Sequence, residues 1–101
     1  MRTCIDHLIA LSHIDGPRLK REATFLSQRL ESLRISKNIT NDAYLDAGAI
    51  QGAFEMIAHL IDMGVSQKEI HSQLKQQLDR AKNIEIKHPG LNNAIEQGRA
   101  S

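Results

Sequence analysis

Tryptophan is absent from this chain, and only two Phe and one Tyr are found among its 101 residues. The core must therefore be aliphatic. Single-stranded nucleic acid, whose bases are usually held by stacking on several rings, is a poor match as a partner. Cys4 is the only cysteine, so neither an intrachain disulfide nor a multi-cysteine zinc site can form. One thiol suits the reducing cytoplasm, where the chain is expected to work, although a lone cysteine can also join two copies. Valine occurs once, at Val65, and no stretch alternates apolar with polar residues, which removes the usual material of β-strands. Asp46, Glu55 and Asp62 cut the most apolar segment well short of the roughly 20 residues that cross a bilayer. Asp6 and His7 interrupt the first apolar stretch in the same way, so a secretory leader is not expected.

What is present describes one helical domain. Thirteen Lys and Arg oppose twelve Asp and Glu, for a net charge of +1, which excludes strong whole-protein attraction to nucleic acid or anionic membrane. The charges are uneven: residues 38–64 hold four acidic side chains and no Lys or Arg, between two basic flanks. A chain this short buries only about two-thirds of its unfolded surface, and a second copy is expected to complete it.

Apolar residues recur at intervals of three and four throughout, the period of helices. The first helix is expected over about 3–14, with Cys4, Leu8 and Leu11 on one face, up to the break at Asp15-Gly16-Pro17. Pro17 belongs in the first turn of the second helix, about 17–36. There Leu19, Ala23, Leu26, Leu30 and Leu33 form a two-per-heptad seam, read here as the inner face of an intramolecular bundle helix. Ser36 to Asp42 is a polar turn that offers Thr40, Asn41 or Asp42 as the next cap.

The third helix, about 42–63, carries two apolar stripes. Ala43, Ala47, Ile50, Phe54, Ile57 and Ile61 form one; Leu45, Ala49, Ala53, Met56, Leu60 and Met63 form the other. Together they exceed half the circumference, where a surface helix needs an apolar arc of about 100°. This helix is expected to be central and covered on two sides. Gly64 ends it, and Ser66 with Glu69 forms a capping box for a fourth helix over about 67–87. Ile70, Leu74, Leu78, Ala81 and Ile84 face inward on that helix, and Lys68, Ser72, Lys75, Asp79 and Lys82 face outward. After Pro89 a short frayed turn is expected over 91–97.

Few residues suggest chemistry. Glu55, His59 and Asp62 share a face at i, i+4 and i+7, a sensible spacing for oxygen and nitrogen ligands. Solvation of the one polar strip on an apolar helix explains the same letters, so no metal, cofactor or enzymatic activity is expected. Gly48 and Gly52 cost about 1 kcal/mol each relative to Ala inside a helix. They imply close packing by another segment or copy, or a ligand notch lined by Tyr44, Gly48, Gln51, Gly52, Glu55 and His59.

The run Gly64-Val65-Ser66-Gln67-Lys68-Glu69-Ile70 resembles the turn of helix-turn-helix DNA readers. Leu60 stands where that pattern takes a small residue, and His59 and Gln73 stand where it takes apolar ones. A capped helical hairpin accounts for the run without these exceptions.

The favoured reading is an all-α, four-helix antiparallel bundle-like homodimer with a buried third helix, acting without catalysis as a regulator, adaptor or inhibitor of another protein. Phe25 falls about 120° from the Leu19–Leu33 seam, with Arg21 and Arg29 one turn either side, the composition of a protein-binding hot spot; cover by the amino-terminal helix or a second subunit is the other reading of that ring. Two alternatives stand behind it: nucleic-acid binding by Lys68, Lys75 and Lys82 on the basic face of residues 66–88, and a small ligand in the Tyr44–His59 notch.

Overall fold

A computed structural model describes residues 1–99. It is all-helical, with α1 Arg2–Ile9, α2 Gly16–Ile35, α3 Asn41–Asp62, α4 Gln67–Lys87 and α5 Leu91–Glu96, and the described residues include no strand. Three long helices start on the caps that their sequences supply. Asp15 Oδ1 accepts from the Arg18 amide at 2.7 Å, Thr40 Oγ1 from Ala43 at 3.1 Å, and Ser66 Oγ from Glu69 at 3.3 Å; each satisfies an amide that has no partner inside its helix.

The turn from α3 to α4 is closed at both ends of its loop. The Val65 amide donates to Leu60 O at 3.1 Å and the Gly64 amide to Ile61 O at 2.9 Å, the paired bonds of a left-handed C-cap. Gly64 has φ +84°, a region that only glycine enters without strain. α2 ends with the same pair of bonds, from Asn38 to Leu33 O and from Lys37 to Arg34 O, but with Lys37 at φ +62° in the glycine position.

α3 sits between α2 and α4, α1 packs on α4 and α2, and α5 lies against α2 and α1. The three long helices alternate in direction. Glu31 late in α2 accepts from the Tyr44 hydroxyl early in α3, and Lys20 reaches Asp62 at the far end. Lys87 and His88 at the end of α4 reach Asp46 near the start of α3. One apolar core fills the interior, without a buried charged residue among those described. The whole α2 seam, Leu19, Ala23, Leu26, Leu30 and Leu33, is consumed in it, as are Ala43, Ala47, Ile50, Phe54 and Ile57 of α3.

Three expectations are corrected here. The first helix stops at Ile9 instead of reaching 14. The chain beyond it turns and bends through residues 10–13, and Gln67 then holds both backbone groups of Ile14: Ile14 N donates to Oε1 and Nε2 donates to Ile14 O, each at 2.8 Å. These bonds sink the Ile14 side chain into the core, and a helix through that point would forfeit them. The last turn is a docked helix instead of a frayed end, because Leu91 and Ile95 are buried in the common core. Finally, α3 is covered less fully than expected: α2 and α4 flank it and Leu60 of the second stripe packs against the core, but Leu45, Met56 and Met63 of that stripe remain 67%, 66% and 66% exposed.

Gln67 thus ties the α1–α2 connection to the start of α4. Gln67→Ala leaves two part-buried backbone groups without partners, which costs about 1–3 kcal/mol. Urea unfolding should show that loss, whereas exposed Gln76→Ala should stay within about 0.5 kcal/mol of the parent. Equal midpoints for the two variants would contradict the role given to Gln67.

Candidate functional site

The cap at Asp15 and the helical start at Gly16-Pro17 fix the phase of α2. In that phase Arg18, Arg21, Glu22 and Phe25 follow one another at i, i+3, i+4 and i+7, on one side of the helix. They meet His7, Leu8 and Leu11 across a cleft of about 220 Å³, which Arg99 closes at one end. Leu8 and Phe25 pack on or in the core, and Leu11 packs against it. The cleft therefore has an apolar floor and a polar rim.

Arg99 is the most engaged side chain in the cleft. Its Nη1 and Nη2 donate to the two Glu22 carboxylate oxygens, each at 3.0 Å, and its Nε and Nη2 donate to Glu96 at 2.6 and 3.1 Å. The guanidinium carbon stands 4.1 Å from the Phe25 ring centroid, within cation–π range. Burial pushes the Glu96 carboxyl up, but the Arg99 hydrogen bond and charge outweigh it and hold the group below the usual carboxylate range. Arg99 is held more firmly protonated than usual, chiefly by the Glu96 hydrogen bond.

Cys4 lies beneath this network, fully buried, with its Sγ 3.4 Å from Arg99 Nη2 and 3.8 Å from Glu96. Burial, more than any other cause, raises the thiol to about 11. A buried thiol of that kind is unreactive, so the folded chain does not offer it to a second copy.

The expected hot spot divides. Arg21 and Phe25 share the cleft, but Phe25 is half-buried, covered in part by α1 and Arg99. Arg29 turns toward α5, where Nε donates to Ile95 O at 3.1 Å and Nη2 to Ala94 O at 2.9 Å. It caps the last turn of that helix, and it crosses Gly98 so closely that any β-carbon there would collide with it. Arg18 and Arg21 make no ion pair among the described residues. The lining by Arg99 was invisible in the sequence, since it depends on α5 docking against α2.

The other sequence-derived sets are placed as follows. Tyr44, Gly48 and Gln51 line a cleft of about 200 Å³ with Ser27, Leu30 and Leu45, whereas Gly52, Glu55 and His59 lie outside it. Gln51 donates to Glu55 at 2.9 Å, and Asp62 is held by Lys20 at 3.2 Å. No group of three or more His, Cys, Asp or Glu that could hold a metal ion exists among the described residues. A β-carbon added at Gly48 or Gly52 would meet nothing within 4 Å, so no described neighbour lies close enough to require glycine at either position. Lys68, Lys75 and Lys82 are all exposed along α4. No described helix is long and apolar enough to cross a membrane.

A further cleft, of about 370 Å³, opens between the α2–α3 loop and the α4–α5 turn, and no sequence signal marked it. Its His88 ring is already 2.8 Å from Asp46 Oδ2, with Lys87 Nζ at 3.1 Å from the same oxygen. The search for known proteins finds no matching family model, no matching curated protein and no matching solved structure.

The Asp46 carboxyl is held below its ordinary value of 3.8 by its hydrogen bonds to His88 first and Lys87 second. A depressed carboxylate contributes stability that is complete above its unfolded pKa and is lost as pH falls through the folded one. Thermal unfolding should accordingly separate the parent from Asp46→Asn at pH 6 and bring the two together as pH drops below about 4. A gap unchanged at low pH would show that this ion pair contributes nothing through charge.

Proposed function

We propose that this chain is a non-enzymatic binding protein, a regulator, adaptor or inhibitor, which receives an acidic segment of another protein in the α1–α2 cleft. It acts as a homodimer of four-helix, antiparallel bundle-like units. The buried single thiol suits a reducing compartment, the cytoplasm.

One observation carries the reading: cationic charge without a partner stands over an apolar floor. Arg18 and Arg21 rim the cleft without ion pairs among the described residues, while Glu22, the cleft's one carboxylate, is already spent on Arg99. Small-molecule pockets run to about 300–1,000 Å³, so a cleft of about 220 Å³ suits one or two anchoring side chains. An apolar anchor on Phe25, Leu8 and Leu11, with carboxylates toward the two arginines, is the arrangement of an interface hot spot. The exposed lysines of α4 support nucleic acid less well, since Asp79 interrupts their line and each is a single phosphate contact at most.

A random peptide library selected on the intact protein should return an aromatic or large aliphatic residue flanked by Asp or Glu. Arg21→Glu, a change at an exposed position, should weaken the best peptide at least tenfold. Basic consensus sequences, equal affinity for the variant, or salt-sensitive duplex binding abolished by Lys75→Glu would replace this assignment.

A further inference from the structure

The outer face of α3 is open in the single chain. Leu45, Met56 and Met63 are two-thirds exposed, and Ala49 and Gly52 lie exposed between them. At about 100° per residue this group centres on the side of the helix opposite Ala47, Ile50 and Phe54. Leu45, Met56 and Met63 expose on the order of 400 Å², comparable to the largest apolar patch of a typical monomer, which is often functional. Positions 45, 49, 52, 56, 59 and 63 follow one another at four, three, four, three and four. That is the seam of a packed helix pair, and it reads the same in both directions.

We propose that a second copy of this chain occupies this face, with α3 laid antiparallel on α3 about a two-fold axis near residue 54. The inference rests on the homodimer reading above and gives it a surface. In a two-fold contact each pairing occurs twice, and the palindromic spacing makes every seam position meet another seam position. Leu45 then opposes Met63 of the partner subunit, and Met56 lies over Gly52 of the partner subunit. There the missing β-carbon leaves open space in the single chain. Ala49 leaves similar room opposite His59 of the partner subunit. Two of the three pairings thus set a large side chain against a small one, a match that a foreign helix would not require.

Charge permits the same register. It brings Asp46 opposite Asp62 of the partner subunit, but Asp46 is already bound to Lys87 and His88, and Asp62 to Lys20, each within its own chain. Glu55 already accepts from Gln51. A helix of 22 residues spans about 33 Å, and a stripe of that length buries roughly 500–600 Å² per copy. The total falls at the low end for specific interfaces, the range of reversible contacts.

Sedimentation equilibrium of the full chain from about 5 to 500 μM, with a mixed-cysteine experiment, tests this. The parent should dimerise with a micromolar midpoint. Met56→Glu, at an exposed position, should weaken dimerisation at least tenfold, and Ile86→Glu, 77% exposed on α4, should leave it unchanged. Mixing Leu45→Cys protein with Met63→Cys protein under mild oxidation should give the 45–63 cross-link by mass spectrometry. A parent that stays monomeric throughout would overturn both the homodimer reading and this surface. A dimer indifferent to Met56→Glu, or cross-linked 45 to 45, would overturn the surface and register while leaving the homodimer standing.

Discussion

The structure turns on one mismatch: α3 is apolar around more of its circumference than the rest of this chain can cover. Ala43, Ala47 and Ala58 on its inner side are small, so α2 and α4 can approach closely, and Ile50, Phe54 and Ile57 between them reach into the leucines of α2. With no tryptophan and few other rings, the interior is filled by many aliphatic side chains, each contributing about 1.5–3 kcal/mol when fully buried. Such a core favours long facing stripes, which α2 and α3 provide. α1 has eight residues and α5 has six, too few to wrap the far side of α3. The leftover stripe is a consequence of where the helical residues were spent.

The short helices hold their places by borrowing caps. Met1 has no side chain able to cap α1, so Asn92 Oδ1 of α5 accepts from the Thr3 amide at 3.2 Å, and Asn92 Nδ2 donates to Thr3 Oγ1 at 2.9 Å. Gly90 likewise cannot cap α5, and Glu85 of α4 accepts from the amides of Gly90 and Asn92 at 3.0 and 2.9 Å. Arg29 of α2 closes the other end of α5. Isolated helices of eight and six residues are unstable in water; here the start of each, and the end of α5, is satisfied by a different element. The cleft inherits its shape from this chain of caps, because Arg99 reaches Glu22 and Phe25 only from the end of a docked α5.

Periodicity made most of the long helices legible. The α2 seam, the inner stripe of α3 and the inward face of α4 are repeats of three and four over many residues, and the turn at Gly64 and Ser66 is written in local chemistry. What stayed hidden was made by contacts distant in sequence. Nothing near Ile14 announces that Gln67, 53 positions away, holds its peptide. Phe25 was readable as lying off the main seam and as a residue that the amino-terminal helix could cover, but its cover by Arg99 was not, and the ends of Arg21 and Arg29 looked equivalent until α5 claimed one of them. The two stripes of α3 were plain as well. That Leu45, Met56 and Met63 would stay open depended on how the other helices dock, which no local signal records.

The two proposed surfaces are compatible for the same reason that α3 is left over. The cleft lies on the side of α2 that faces α1, while the open stripe of α3 points away from its contact with α2. Pairing through α3 therefore leaves both clefts of a dimer accessible. Two clefts joined by rigid helices can engage a partner that carries two acidic segments, or two partners on one assembly. The second encounter is then intramolecular and gains strength without any new contact. A cleft of such modest size binds weakly alone, so doubling it is what would let a protein of 101 residues hold a larger one. On this view the apolar excess of α3 and the small cleft beside α1 are parts of one mode of action.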